Sequence, residues 1–497
     1  MPNPISQARD RLRAHSAGLF PRLIATLVFL VSLLIFASIT PGFMTKVMWP
    51  TGDEPYYLLI AHSIIHDHDI DLQNNFDRQD YFHYYPGELY PRHEAKTIVP
   101  GLYSKHAPGV SLLIAPAYAL ADWKGAVYVY NVIGALLAAN IYLLAYEVSH
   151  KHWVALLLWL TFSFTNPLMS YSFLIFPALV SALMTVYVYR RIRLDGVASP
   201  LAANGPWRML AIGLCLGFMP WLHARFLPVS FSLFAYFIWR EVTVRRRARR
   251  EAAQGEEAAP TQPLQGRALN IRLAVLLVPI IICAVLFEAY FKILYGTFLP
   301  NYNDHAGMGT PGEWVVAFFG SFFDQQWGFF INAPIFILAI VGIIWMLRQR
   351  RWQEITWLAI IAIPYAAVIL TYKQWWGEWC PAARYWVSLV PLLAVPMGYM
   401  LAAPIKRGFL AIYFALAAIS WAIMGIFMYD PHLMYNHPTG SSHLLQWIAG
   451  SDVLQPFFPT YFRSEWANVW LTVLYTELVI IIVWLALKQI KSPSARP

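Results

Sequence analysis

Residues 23–40 ("LIATLVFLVSLLIFASIT") run for eighteen positions without a charge. A helix of about 20 such residues crosses the hydrocarbon core of a bilayer. The run is one of twelve apolar stretches, at 23–42, 125–147, 153–169, 172–190, 208–222, 226–241, 272–293, 329–347, 354–371, 385–403, 408–428 and 467–488. That repetition leaves an all-α, polytopic membrane helix bundle of about 12 transmembrane helices as the expected fold, because in lipid each backbone polar group must be satisfied inside its own segment. Charged residues make up only 13% of the chain, about half of what a soluble domain carries. Arg9, Arg11, Arg13 and Arg22 precede the first run. It is longer than a signal-peptide core and ends in no clear cleavage site, so it reads as a retained first span.

Lys and Arg concentrate in short cytoplasmic loops, which tests the alternation of the spans. With the N-terminus inside, Lys151, "RRIR" at 190–193, "RRRARR" at 245–250, "RQRR" at 348–351, "KR" at 406–407 and Lys488/Lys491 all fall on one side. The sequence therefore predicts a cell (plasma or inner) membrane protein with both termini cytoplasmic. Its net charge of +9 speaks of the lipid bilayer and its anionic headgroups, and no nucleic acid is expected. Residues 242–270 are polar and rich in Ala, Gln, Glu, Pro and Gly. They read as a flexible cytoplasmic linker between an N-terminal module (1–241) and a C-terminal one (271–497). The opposite face receives two long loops, 43–124 and 429–466, and long aromatic-rich loops on a rigid scaffold are where sites are built. Within the first loop, Pro55 suits the first turn of a helix over 55–66, and Gly109–Leu120 is apolar but too short to span, so it belongs at the interface.

The first outer loop opens with "GDEPYY", in which Asp53 and Glu54 follow the first span directly. An acid there caps a helix and gains from its dipole. The same dipole keeps a carboxylate ionised, as a base that takes a hydroxyl proton must be. Other titratable groups reach the same face: Lys105 and His106 in "LYSKHAPG", His223 and Arg225 in "WLHARFLP", Asp324 in "FFDQQWGFF", and Lys373, Glu378 and Arg384 in "YKQWWGEWCPAARYW". Cations at span ends commonly snorkel to headgroups, and Trp/Tyr belts are generic anchors. Arg225 and Arg384 lie on the side from which the positive-inside bias removes arginine, and a planar guanidinium there suits bidentate contact with phosphate oxygens.

"HSIIHDHDIDLQNN" places His62 and His66 at the i,i+4 spacing of a zinc pair, with oxygens from Asp67, Asp69 and Asp71. No third ligand stands at a fixed spacing, and a polar helix face running into a loop explains the string equally, so a divalent metal is left open and no other cofactor is implied. Cys215, Cys283 and Cys380 form no disulfide framework or paired metal motif. Glu288 and Glu477 sit inside spans, where charge is costly and marks a functional candidate by default. Lys292, one turn from Glu288, is positioned to neutralise it.

The acidic pair in "GDEPYY", the loop ending "KHAPGVSLLIAPAY", the segment "FDQQWGFFINAP" and "WWGEWCPAARYWVSLVP" together resemble, in that order, the GT-C superfamily of integral-membrane glycosyltransferases, which use lipid-phosphate-linked sugars. The chain looks most similar to bacterial relatives of protein mannosyltransferases and aminoarabinose transferases. The resemblance implies juxtamembrane helices in the first extracytoplasmic loop, a polyprenyl-phosphate-linked sugar donor and a hydroxyl acceptor of undetermined kind. It maps the catalytic base onto Asp53, with Glu54 as the second acid of the motif. Relatives often carry a further acid after an aromatic–Pro pair before the fourth span, whereas "YSFLIFPALV" has Ala178 here. The competing expectation is a transporter or lipid flippase, supported by Glu288 and Glu477. Against it, the chain shows no repeat halves, and its charges crowd one surface and not the midplane.

Overall fold

A computed structural model of the chain describes residues 4–90, 94–95, 97–194, 205–253, 266–298, 307–463 and 466–491. Almost every ordered element is helical. In chain order these are α1 (Pro4–Val47), α2 (Glu54–His66), α3 (Gln73–Arg78), α4 (Gly109–Ser149), α5 (His152–Ser163), α6 (Leu168–Tyr171), α7 (Pro177–Leu194), α8 (Pro206–Leu222) and α9 (Leu227–Ala253). After them come α10 (Gly266–Tyr295), α11 (Pro311–Phe323), α12 (Phe329–Asn332), α13 (Leu338–Arg348), α14 (Trp352–Leu370), α15 (Ala394–Ala402), α16 (Arg407–Tyr429), α17 (His443–Ala449) and α18 (Trp466–Lys488). One small antiparallel ribbon, β1 (Glu94–Ala95) with β2 (Tyr103–Ser104), interrupts the first long loop.

Among the described residues, six helices are long and apolar enough to cross a bilayer: Leu19–Val47 within α1, α4, Asn270–Tyr295 within α10, α14, α16 and α18. Three of the other expected spans are not single helices. The stretch 153–169 ends as α5 at Ser163 and resumes as the one-turn α6 after Pro167. The stretch 329–347 is α12, a 3₁₀ turn at Pro334–Ile337 and α13. The stretch 385–403 passes through 3₁₀ turns at Arg384–Trp386 and Val390–Leu393 before α15. Proline at each break removes a helical N–H and clashes with the preceding turn. The broken segments are the buried ones, with Leu158, Phe162, Ile335, Phe336, Val387 and Val395 at 0% exposure. Irregular backbone is tolerated at membrane depth only where protein covers it, so the interrupted segments sit inside the bundle beside the buried α4 and α7, while the other five long helices keep most of their surface outward.

α4 is the hub, packing against α1, α2, α5, α7 and α15. Its first part is the expected short apolar helix. Ala121 (φ −148°) and Asp122 (φ 55°, ψ −156°) then break the helix before the spanning part begins. The two expected modules interleave, α9 lying on α14 and α15 on α4 and α5. At the Arg-rich end, Arg190 donates to Glu147 at 2.7 Å with both side chains buried, and Arg193 pairs with Glu354 at 3.2 Å. The expected linker is helical at both edges: α9 continues to Ala253, α10 begins at Gly266, and 254–265 lie outside the described residues. A helix already nucleated by packing continues through good helix formers even without an apolar face. Glu241 supports the extension by pairing with Arg245 at 2.8 Å and with Arg272 of α10 at 3.6 Å.

α8 and α10 meet through glycine. A methyl group at Gly213 would stand 2.3 Å from the Leu276 carbonyl oxygen, and one at Gly217 would stand 2.8 Å from Cys283 Cβ. Small residues are what let helix backbones approach so closely in a membrane. Gly213→Ala is therefore expected to push the helices apart and lower the Tm by roughly 5 °C. Gly425→Ala in α16, where nothing lies within 4 Å of the new methyl, is expected to leave the Tm unchanged or slightly raised. Thermal unfolding of the two purified variants checks the pair.

Candidate active site

The segments that follow α1 and α8 and the C-terminal end of α14 line one cavity. The chain leaves α1 through Gly52, which has a φ of +61°. A methyl group there would stand 2.7 Å from the Trp379 carbonyl oxygen, so only glycine fits without strain. Asp53 and Glu54 follow at once, and the two carboxylates diverge.

Asp53 occupies the N-cap position of α2 but makes no side-chain capping bond. Its carboxylate instead pairs with the Arg384 guanidinium, through Oδ2 and Nη2. Arg384 is buried. Its Nη1 donates to the Gly377 carbonyl at 2.9 Å, and its guanidinium lies 4.4 Å from the centre of the Phe176 ring. The segment that delivers it is tightly folded, with left-handed φ at Gly377 (84°), Glu378 (63°) and Ala383 (61°). Burial works against the charge on Arg384, yet the adjacent Asp53 carboxylate holds it protonated, well above the ordinary arginine value.

Arg225 enters from the turn between α8 and α9. Its guanidinium stacks 4.7 Å from the centre of the Tyr385 ring and 5.5 Å from that of Phe226, and among the described residues it forms no ion pair. Its backbone N–H donates to His223 Nδ1 at 3.1 Å. Burial, reinforced by Arg225, His106 and Arg384, drives the His223 pKa well below the usual histidine value. The ring is therefore neutral, and with Nδ1 accepting, its proton resides on Nε2. His106, 7% exposed, sets its ring 4.9 Å from that of Tyr57.

Asp53, Lys105, His106, His223, Arg225, Glu378 and Arg384 all line this cavity, of about 180 Å³, with Tyr57, Val368, Ile369, Tyr372, Gln374, Gly377 and Tyr385 completing the wall. It is smaller than the ~300–1,000 Å³ of pockets that enclose a whole drug-sized ligand. Its size suits the polar end of a larger molecule, and Val368, 41% exposed on α14, offers an apolar exit.

Three residues expected at the site lie elsewhere. Glu54 is 2% exposed and outside the cavity wall: Thr51 N–H donates to Oε2 at 2.9 Å and Ile175 N–H to Oε1 at 2.7 Å. Asp324, 0% exposed, accepts from the N–H groups of Gln326 (2.8 Å), Trp327 (3.1 Å) and Tyr461 (3.1 Å), closing the turn into α12 onto the loop between α17 and α18. Lys373 is exposed and faces Glu313 at 3.9 Å. Sequence reasoning missed Tyr57, Tyr372, Gln374 and Tyr385, although each stands within a few residues of one it singled out.

The histidine- and acid-rich string shapes the first loop. His62 Nδ1 lies 3.0 Å from the Tyr118 hydroxyl and Nε2 lies 3.7 Å from Asp80; Asp67 accepts from Asn75 at 2.7 Å. Asp69 accepts from Ser63 at 2.9 Å, and Asp71 accepts from Leu102 N–H at 2.8 Å. No group of three His, Cys, Asp or Glu side chains placed to hold a metal ion is found among the described residues. Lys292 donates to the Gly296 carbonyl at 3.1 Å instead of pairing with Glu288, and Glu477 is exposed at the centre of α18.

Burial raises Glu54 from 4.5 to about 7 despite its two backbone bonds, and raises Asp324 to about 6. A carboxyl whose folded pKa is raised contributes stability that is full below about 4.5 and is lost as pH rises through about 7. The Tm is thus expected to fall by roughly 2–5 °C between pH 5 and pH 8 on account of Glu54. Glu54→Gln should remove that share of the slope. Parallel pH–Tm profiles for the two proteins check this, and identical slopes would show that Glu54 does not titrate in this window.

No protein-family model and no curated protein matches the chain. Among solved structures, the fold is similar to the crystal structure of the apo oligosaccharyltransferase of Archaeoglobus fulgidus, at a TM-score of 0.39 and 12% identity. It is also similar to oligosaccharyltransferase AglB of the same archaeon in complex with an inhibitory peptide and a dolichol-phosphate, at a TM-score of 0.34 and 13% identity. The alignments cover 95% and 96% of this chain and 57% of each of those chains.

Proposed function

We propose that this protein is a glycosyltransferase of the GT-C kind, which moves a sugar from a polyprenyl-phosphate donor to an acceptor hydroxyl at the extracytoplasmic membrane surface. One observation carries the reading. A single small cavity gathers two carboxylates, three cations and two histidines from segments that are remote in sequence, beside the apolar flank of α14.

The chemistry follows from what each group can do. The donor's isoprenoid tail belongs in lipid and its sugar phosphate does not, so a site at the end of the bundle with an apolar exit satisfies both halves. Asp53, whose side chain is released from capping duty, is the base that takes the acceptor's proton. Arg225, already stacked on Tyr385, offers its charge to the phosphate, and Arg384 and Lys105 add theirs as charge grows on the leaving group. Neutral His223, its proton on Nε2, offers a hydrogen bond to a sugar or phosphate oxygen. Glu54 holds the loop that presents Asp53 by fastening residues 51–54 to Ile175.

Asp53→Asn keeps the shape and still accepts from Arg384, but it cannot take a proton. Transfer from a radiolabelled polyprenyl-phosphate sugar is expected to fall by about 10²-fold or more, with a smaller loss for Glu54→Gln. A folded Glu54→Gln protein that loses more than Asp53→Asn would identify the other acid as the base. Arg225→Ala is expected to weaken donor use by at least about tenfold, the scale of one charged hydrogen-bond partner; wild-type donor affinity in that variant would remove it from the phosphate site.

Sidedness has its own test. A cysteine at Asn74 or Ser441 should react with an impermeant thiol reagent added to intact cells, and one at Gln349 should not. Labelling at Gln349 from outside would invert the orientation and place the cavity in the cytoplasm.

A further inference from the structure

Arg384 is not free to serve the phosphate alone, because the base already holds it. We infer that Arg384 is a counter-ion shared by the base and the leaving group, passing its pairing from Asp53 to the phosphate as the proton arrives on Asp53. The inference rests on the donor reading above and adds to it a reason for the ion pair.

The charge balance requires such a partner. In the transfer, the acceptor O–H bond and the bond from the anomeric carbon to the phosphate oxygen break, and the bond from the acceptor oxygen to the anomeric carbon forms. The hydroxyl proton ends on Asp53, which goes from −1 to neutral. The phosphodiester, with one negative charge, leaves as a monoester with two. The two sites together hold the same charge before and after, so a single cation between them stays matched if its hydrogen bonds can shift from one to the other.

The geometry allows that shift. Nη2 is on Asp53, Nη1 is on the Gly377 carbonyl, and Nε is buried without a hydrogen-bond partner. Each terminal nitrogen also keeps a second hydrogen. The Gly377 carbonyl and the Phe176 ring fix the guanidinium plane, so the exchange needs no movement of the arginine. Arg225, lying on Tyr385 without an ion pair among the described residues, is the cation that meets the incoming phosphodiester first. Arg384 is engaged only as the second charge appears. A cation held this way favours the transition state over bound substrate, which is the condition for raising kcat.

The test compares lipids of different charge on the purified full chain in nanodiscs at pH 8: a polyprenyl monophosphate, its methyl phosphodiester and the uncharged polyprenol. Asp53→Asn is expected to tighten the monophosphate at least tenfold and the diester less than threefold. Glu378→Gln, which removes a negative charge elsewhere on the same wall, should tighten the dianionic monophosphate by no more than about the square of its effect on the monoanionic diester, whereas in Asp53→Asn the monophosphate should exceed that square. The wild type gives a readout independent of the variant's folding: binding the monophosphate should take up a proton, seen as heat that depends on the buffer's ionisation enthalpy, and binding the diester should not. Tightening of the monophosphate in Asp53→Asn by no more than that square, or no proton uptake in the wild type, overturns the shared counter-ion and leaves the donor reading standing. Wild-type binding of neither phosphate better than polyprenol overturns the donor reading and this inference with it.

Discussion

A carboxylate and a guanidinium 331 positions apart in the chain meet at the buried end of the bundle, and the site is arranged around that contact. Two charges removed from water must find each other or be neutralised, and leaving one alone is strongly destabilising. The pair therefore acts as a registration point. Asp53 fixes the start of the first long loop, and Arg384 fixes the irregular stretch between α14 and α15. The cavity walls are the residues on either side of each.

The neighbouring acids show why proximity in sequence is a poor guide to role. Asp53 and Glu54 are adjacent, yet one faces a cation in the cavity and the other is sealed behind it among backbone N–H groups. Asp324 repeats the second pattern, with three backbone donors on one buried carboxylate. Such residues organise loops: a carboxylate can receive several N–H groups that a loop would otherwise leave unsatisfied. Around them the chain uses left-handed turns at Gly52, Gly377, Glu378 and Ala383. These let short connections carry charged side chains inward while the helices remain straight.

The bilayer explains the contrast between the two kinds of helix. Lipid tolerates no unpaired backbone, so the helices with exposed faces, such as α10 and α18, run without interruption. Those at the centre can break, because protein replaces lipid as their surroundings. The breaks carry the functional turns: the 3₁₀ turn at Arg384–Trp386 lies in one of them.

Sequence alone determined the membrane class and the location of most helical segments. These follow from apolar run length, which is a local property. It also singled out seven of the cavity-lining residues, because an aromatic, proline-rich context with charge is unusual at the end of a span. Tertiary structure decided the rest. Nothing local distinguishes the Asp53 carboxylate from that of Glu54, the cap from the ion pair, or Lys373 from Arg384. Those choices depend on which remote backbone and which remote charge arrive beside each side chain. Likewise, proline marks the breaks in three apolar stretches, but only their burial inside protein lets the freed backbone groups find partners.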